Sequence, residues 1–156
     1  LTLITLQTLN KDDNFQKNNE VLLDQCFSVK STKKNVSFIR SKLHDFLSQF
    51  TFSDSAIFDF KLAINEAHCN IIEHAYLDED QHDIIFSFVA FDDYIKISIR
   101  DFGVTYVDVK SKQKNINLVD LEGSGLGLYL MKRFIDKYEY IPHTQGTELV
   151  LIKYFT

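Results

Sequence analysis

The chain has 156 residues, the size of one globular domain, and its 45% hydrophobic against 25% charged residues exclude an intrinsically disordered protein. A net charge of −5 without any lysine- or arginine-rich run argues against binding to the backbone of DNA or RNA. The longest apolar stretch, residues 84–91, is far shorter than the roughly 20 residues that a membrane-spanning helix needs. Two cysteines beside an adequate core, Cys26 and Cys69, favour reduced thiols and a cytoplasmic protein.

The first half of the chain predicts an N-terminal arm, one strand and two helices. Residues 1–20 predict a weakly structured arm, because an apolar start is followed by a polar stretch, and residues 21–156 predict one domain. Residues 22–29 are typical of a strand. Ser31 or Thr32 can cap a first helix, and Ser53 or Asp54 a second one, because hydroxyl and carboxylate oxygens accept from free helix-start amides. In both helices the apolar residues recur at helical spacing.

In the second half of the chain, the spacing of the apolar residues changes from that of a helix to that of a strand. Residues 82–91 form a β-prone run, and residues 94–100 alternate apolar and polar side chains, which predicts an antiparallel hairpin with one wet face. Residues 102–123 predict a long loop, residues 126–137 a helix and residues 147–155 a last strand, with a turn at Pro142. This order predicts an α+β fold, a two-layer sandwich whose mixed, mostly antiparallel sheet is covered on one face by helices.

Glycine placement indicates a site in the last third of the chain. Only five glycines occur, none lies in the first hundred residues, and three fall within residues 123–127, directly before the predicted helix. A helix start with free amides and closely approachable glycines favours phosphate binding, although a flexible helix entry is the alternative. Leu128 stands where a Rossmann fingerprint needs glycine, and no P-loop pattern exists.

Two further groups of residues are candidates for the same site. Glu66 and Asn70 are four residues apart and share one side of the second helix, where a carboxylate can take a proton and an amide oxygen can bind a hard cation. Asp101 ends the alternating strand, and its carboxylate can accept from an exocyclic amine. Gly103 leaves room for a flat ring, and the hydroxyl of Thr147 can add a hydrogen bond. The alternatives are a solvated helix edge for Glu66 and Asn70, and an ordinary strand-to-loop turn at Asp101.

Together these motifs resemble those of the GHKL ATPase superfamily over residues 22–155. Residues 65–76 are similar to its N box, Asp101-Phe-Gly103 to its first glycine box, and residues 122–127 to its second, with Gly146-Thr147 closing the pattern. Within that superfamily the chain looks most like the bacterial anti-sigma factor serine kinases. The resemblance implies the Bergerat ATP-binding fold, with ATP and Mg²⁺ as ligands.

The resemblance also implies roles for individual residues on the phosphate side. Asn70 matches the magnesium-ligating asparagine, and Glu66 matches the proposed catalytic base. Gly125, Leu126 and Gly127 match the nucleotide-binding segment beside the phosphates.

On the adenine side, the resemblance assigns three residues to nucleotide binding. Asp101 matches the carboxylate that accepts from the adenine amino group, Gly103 gives room for the ring, and Thr147 matches the adenine-side threonine. Thr105 departs from the pattern, because a second glycine of the first box would fall there.

As a function, the resemblance implies a protein serine kinase that phosphorylates an anti-sigma factor antagonist-like partner, controls a sigma factor by binding it, and forms a homodimer. A non-catalytic, ATP-dependent partner-switching module is one alternative. The detached ATPase domain of a histidine kinase is another, although the only weak match to a phosphoacceptor motif is His44-Asp45.

Overall fold

The computed structural model describes residues 20–76, 82–103 and 133–155. Most of the predicted arm (1–19), nearly all of the predicted loop at 102–123 and the glycine-rich segment at 123–127 lie outside these ranges.

A five-stranded antiparallel sheet forms one layer. Its spatial order is β1-β2-β3-β5-β4, so the described strands contain no parallel pair. The sheet with helices on one side confirms the predicted α+β fold class. The strands are β1 Val21–Lys30, β2 Asp83–Phe91, β3 Tyr94–Arg100, β4 Lys137–Pro142 and β5 Thr147–Tyr154.

The helices begin where the sequence predicts. A 3₁₀ turn, Lys33–Asn35, opens with the Thr32 hydroxyl accepting from the amide of Lys34 at 3.3 Å and leads into α1, Val36–Leu47. Helix α2, Asp54–Asn70, opens with the Ser53 hydroxyl accepting from the amide of Ala56 at 3.2 Å. Helix α2 then continues directly into a π-helical turn, Ile71–Tyr76.

The core lies between the helices and one face of the sheet. Phe46 of α1 packs 5.6 Å from Phe88 of β2, measured between ring centroids. Burial of these apolar side chains is the main stabilising contribution, at about 25 cal/mol per Å² removed from water. The largest side chains that are fully buried are Phe46, Phe60, Phe86, Phe88, Ile39, Leu43, Leu47, Ile64, Ile84, Ile95, Ile97 and Ile99.

Both cysteines are free thiols, as the sequence predicts: Cys26 is exposed and Cys69 is half-buried. Within the described ranges, no helix combines the length and the apolar character needed to cross a bilayer.

The predicted end of the last helix, at residue 137, is wrong. Residues 133–134 are helical, but Lys137 already begins β4, a strand that the sequence analysis missed. Tyr138 and Tyr140 pack against the core while Glu139 is exposed. Inward and outward side chains thus alternate as in a strand, but only over one short edge strand. Pro142 ends this strand opposite Thr147, a position that an edge strand tolerates.

His68 is an unusual member of the core. Its side chain is fully buried in α2, its ring centroid lies 6.2 Å from that of Phe86, and neither ring nitrogen has a hydrogen-bond partner in the described part of the chain. Burial lowers the pKa of His68 to about 4. The buried imidazole is therefore neutral at pH 7, and its unpaired nitrogens reduce stability.

Replacing His68 by Leu is expected to raise the free energy of unfolding at pH 7.5 by about 1–3 kcal/mol, because two unpaired polar atoms leave the core. Wild-type stability should also fall as the pH drops from 6.5 towards 4, since only the unfolded chain gains a proton there, and the full loss is about 3 kcal/mol. Urea unfolding without nucleotide or magnesium measures both effects. The exposed His44→Leu is the control, and an unchanged pH slope in His68→Leu would contradict the prediction.

Candidate functional site

Asp101 lies directly after the central strand β3 and is held through both its backbone and its side chain. Its amide donates to the carbonyl of Thr147 at 2.9 Å, and its Oδ1 accepts from the amide of Gly103, also at 2.9 Å. The residue is only 5% exposed. Burial raises the pKa of Asp101, and the Gly103 hydrogen bond and the Arg100 charge oppose that rise.

The carboxylate of Asp101 is a buried acceptor that backbone donors hold in place. Oδ1 accepts from the amide of Gly103, and a backbone hydrogen bond from Thr147 to the carboxylate also opposes the rise of its pKa. A buried acceptor that is held in place by its own backbone suits recognition of an amino group, because a hydrogen bond to a charged acceptor contributes about 1.5–3 kcal/mol.

Two glycines allow the backbone to close tightly around Asp101. A Cβ atom on Gly103 would lie 2.5 Å from the carbonyl oxygen of Ala75, and one on Gly146 would overlap the carbonyl oxygen of Asp101. Gly146 also has a φ of 74°, in the left-handed region that favours glycine. Gly146 belongs to the sequence motif, and the structure supplies the physical reason: the turn between β4 and β5 approaches Asp101 closely.

Arg100 ties the turn before β5 to the end of β3. Its guanidinium donates to the carbonyls of Gln145 at 2.6 Å and Thr147 at 3.3 Å, and also to the carbonyl of Asp101. It lies 4.5 Å from the centre of the Phe102 ring, and Gln145 donates back to the carbonyl of Phe102 at 3.1 Å. Arg100 therefore holds together the backbone segments that carry Asp101 and Thr147.

Glu66 and Asn70 lie on the last turns of α2, and both side chains are half-buried. The pKa of the neighbouring Cys69 thiol is raised by burial, and then by the negative charges of Glu66 and Glu73. Glu66 and Glu73 are thus close enough to act on the same thiol. The helix that carries the proposed base leads through the π-helical turn to residues that contact the Asp101 segment.

The donor set is compatible with magnesium that arrives with a nucleotide. Within the described ranges, no group of three or more His, Cys, Asp or Glu side chains is arranged to hold a metal ion. Magnesium at a phosphate site needs only one or two protein oxygens, because phosphates and water supply the rest. The amide oxygen of Asn70 has the hard-ligand chemistry for that role.

The structure brings together only part of the predicted site. Asp101, Gly103 and Thr147 form one hydrogen-bonded group, and Glu66 and Asn70 lie on the helix that runs to it. The predicted nucleotide-binding residues Gly125, Leu126 and Gly127 lie outside the described residues.

Two supporting residues were missed, namely Arg100 and Tyr76. Arg100 follows the alternation of β3 onto the wet face, so its sequence pattern indicated only a solvated side chain. Tyr76 ends the buried stripe of the second helix, and a buried tyrosine hydroxyl needs a hydrogen-bond partner. That requirement was the signal in the sequence that could have identified Tyr76 as a supporting residue.

Comparison with known proteins assigns the chain to a family. The family description "Histidine kinase-like ATPase domain" matches residues 29–153, a range that includes both the α2 residues and the Asp101 group. The chain belongs to this ATPase family. Its membership confirms the GHKL resemblance inferred from the motifs.

Relatives of this histidine kinase-like ATPase include regulatory proteins of bacteria. The anti-sigma F factor of Oceanobacillus iheyensis is 30% identical over 126 residues, covering 79% of this chain and 86% of that protein. The serine-protein kinase RsbW of Bacillus subtilis is 29% identical over 145 residues, covering 88% of each chain. RsbW of Bacillus cereus is 32% identical over 126 residues, covering 76% of this chain and 77% of that protein.

Solved structures share the fold of this ATPase domain. The crystal structure of the RsbU and RsbW domains of a Mycobacterium tuberculosis protein matches with a TM-score of 0.60 and 19% identity, over 83% of this chain and 32% of that one. The SiaB-SiaC complex of Pseudomonas aeruginosa matches with a TM-score of 0.58 and 17% identity, over 86% and 91%. At these identities the likeness concerns the fold alone.

Proposed function

We propose that this protein is an ATP-dependent serine kinase of the anti-sigma factor type. It binds Mg-ATP, phosphorylates a serine of an anti-sigma factor antagonist-like protein, and controls a sigma factor or similar partner by forming a complex with it. The active unit is a homodimer. Relatives named anti-sigma factor and serine-protein kinase support this assignment.

One observation carries the proposal: the buried carboxylate of Asp101, held at the end of the central strand. An ionised carboxylate has about four acceptor positions, so it can accept from a ligand in addition to its backbone donors. The exocyclic amine of adenine is a donor that fits this acceptor, whereas guanine has a carbonyl oxygen at the corresponding position. The site therefore favours ATP over GTP.

The proposed reaction is a direct phosphoryl transfer to the partner. The serine oxygen bonds to the γ-phosphorus as the bond between that phosphorus and the β,γ-bridging oxygen breaks, and ADP leaves. Glu66 accepts the proton of the serine hydroxyl, and Asn70 contributes a ligand to magnesium, which neutralises charge on the phosphates. Gly125 and Gly127 of the sequence motif are assigned to the phosphates.

The experiment that tests this function is incubation of the protein with Mg-ATP and an antagonist-like partner. Mass spectrometry locates phosphate on a partner serine, and gel filtration follows both the complex and the homodimer. An intact complex with an unphosphorylated partner under saturating Mg-ATP would favour a non-catalytic partner-switching module instead.

Replacing Asp101 by Asn is expected to weaken ATP binding by roughly tenfold to more than a hundredfold, because a charged acceptor for the adenine amine is lost. Calorimetry with ATP and GTP measures the effect. Asp92→Asn is the matched control, since Asp92 is exposed in the hairpin at the other end of β3. Equal binding of ATP and GTP by the wild type, or full ATP affinity in Asp101→Asn, would remove Asp101 from the adenine site.

Replacing Asn70 by Ala is expected to reduce the gain in ATP affinity that magnesium provides, with a smaller effect on magnesium-free binding. The reason is that magnesium loses its protein oxygen but keeps its phosphate ligands. Titrations with and without magnesium measure the difference, and Asn65→Ala on the preceding turn of α2 is the control. An unchanged magnesium dependence in Asn70→Ala would contradict the assignment.

A further inference from the structure

Tyr76 connects the end of the π-helical turn to the Asp101 segment. Its side chain is 9% exposed, and its hydroxyl accepts from the amide of Phe102 at 2.8 Å. The same hydroxyl donates to the carbonyl of Asp83, also at 2.8 Å. One oxygen therefore satisfies two backbone groups that belong to different strand ends.

The ring that carries this hydroxyl has little freedom. It stacks on the ring of His82 with centroids 4.3 Å apart and planes 8° apart. The backbone of His82 is in turn bonded to Ser31, whose amide donates to the His82 carbonyl at 2.8 Å and whose hydroxyl accepts from the His82 amide at 3.2 Å. The Tyr76 hydroxyl is thus fixed from the side of β1 and β2.

The residue before Tyr76 supports the same segment by direct packing. The carbonyl of Ala75 comes so close to Gly103 that a Cβ atom there would lie 2.5 Å away. The two amides that follow Asp101 then have different acceptors: that of Phe102 is bonded to Tyr76, and that of Gly103 is bonded to Oδ1 of Asp101. This division fixes the turn and the position of the Asp101 carboxylate.

We propose that Tyr76 is a positioning residue for adenine recognition, one that holds the Asp101–Gly103 turn in the geometry that presents the carboxylate of Asp101 to the exocyclic amine. The inference rests on the proposed ATP-binding function. Tyr76 ends the π-helical turn that continues α2, the helix that carries Glu66 and Asn70. The same contact therefore also sets the spacing between the proposed adenine end and the proposed phosphate end of the site.

The decisive variant is Tyr76→Phe, which removes one oxygen and keeps the ring on His82. ATP affinity should fall about five- to thirtyfold, as expected for a buried hydrogen bond that leaves its partners unpaired, and the preference for ATP over GTP should fall with it. In the ligand-free protein, the amide proton resonance of Phe102 should move upfield. Tyr154→Phe is the matched control, because Tyr154 pairs with Tyr94 at the far end of β3 and should leave the ATP/GTP ratio unchanged.

A double-mutant cycle separates positioning from general destabilisation. If Tyr76 acts through Asp101, Tyr76→Phe should cost much less ATP affinity in the Asp101→Asn background than in the wild type. Additive losses, or an unchanged ATP/GTP ratio in Tyr76→Phe while the wild type prefers ATP, would overturn the role of Tyr76 alone. A wild-type protein without any preference for ATP would overturn both this role and the proposed adenine site.

Discussion

Replacing Glu66 by Gln is expected to slow phosphoryl transfer to the partner by about 10²–10⁴, the range for loss of a general base. Gln keeps the shape of the side chain but cannot accept the serine proton. ATP affinity and the complex with the partner should be largely retained, because neither is assigned to this carboxylate. Single-turnover transfer of labelled phosphate from Mg-ATP, with calorimetry for ATP, measures the two properties separately.

Glu73→Gln is the control for this prediction. Glu73 lies on the π-helical turn, is exposed, and pairs with Lys33 at 3.7 Å, so its replacement makes the same chemical change about two turns away. Transfer at the wild-type rate in Glu66→Gln would refute Glu66 as the base. Equal losses in both variants would indicate that the negative charge of the helix, rather than one proton acceptor, is what matters.

Replacing Gly146 by Ala is expected to lower the free energy of unfolding by about 2–5 kcal/mol. A left-handed backbone costs an L-residue about 1–2 kcal/mol, and overpacking typically adds about 1–3 kcal/mol. The overpacking arises because the new Cβ would overlap the carbonyl of Asp101 and lie 2.7 Å from the Cα of Phe102. ATP binding should weaken as well, since both contacts are to the turn that is proposed to bind adenine. Urea unfolding and calorimetry measure the two effects.

Gly146→Asn separates the two physical causes. Asn tolerates a positive φ better than Ala but carries the same Cβ, so both variants should be strongly destabilised if the contact with Asp101 dominates. A nearly wild-type Gly146→Asn would assign the cost to backbone strain alone. Wild-type stability of Gly146→Ala would refute the close approach itself.

Local patterns predicted most of the fold. The clean alternation of Ile95, Ile97 and Ile99 predicted β3, because that signal depends on neighbouring residues alone. The cap at Ser53 likewise predicted the start of α2, whereas Thr32 caps the 3₁₀ turn that precedes α1. The β4 strand was missed for the opposite reason. Its identity depends on pairing with β5 and on the contacts of Tyr138 and Tyr140 with the core, which six residues following a predicted helix do not reveal.

The candidate site was predictable where a residue type matches its chemistry, as with the carboxylate of Asp101 at a strand end. The supporting contacts were not. Arg100 has the periodicity of a solvated residue, yet its guanidinium binds three carbonyls, two of them 45 or more residues away in sequence. The hydroxyl of Tyr76 likewise depends on two strand ends that only the folded chain brings together.

The position of β3 in the middle of the sheet has a consequence for hydrogen exchange. The amides of β3 are bonded between β2 and β5, whereas β1 and β4 form the two edges and can open locally. Asp101 extends this protected strand, and its amide is bonded to Thr147. Fraying of the edge strands is therefore expected to leave Asp101, the proposed nucleotide acceptor, in place, and its amide should exchange more slowly than those of β1 and β4.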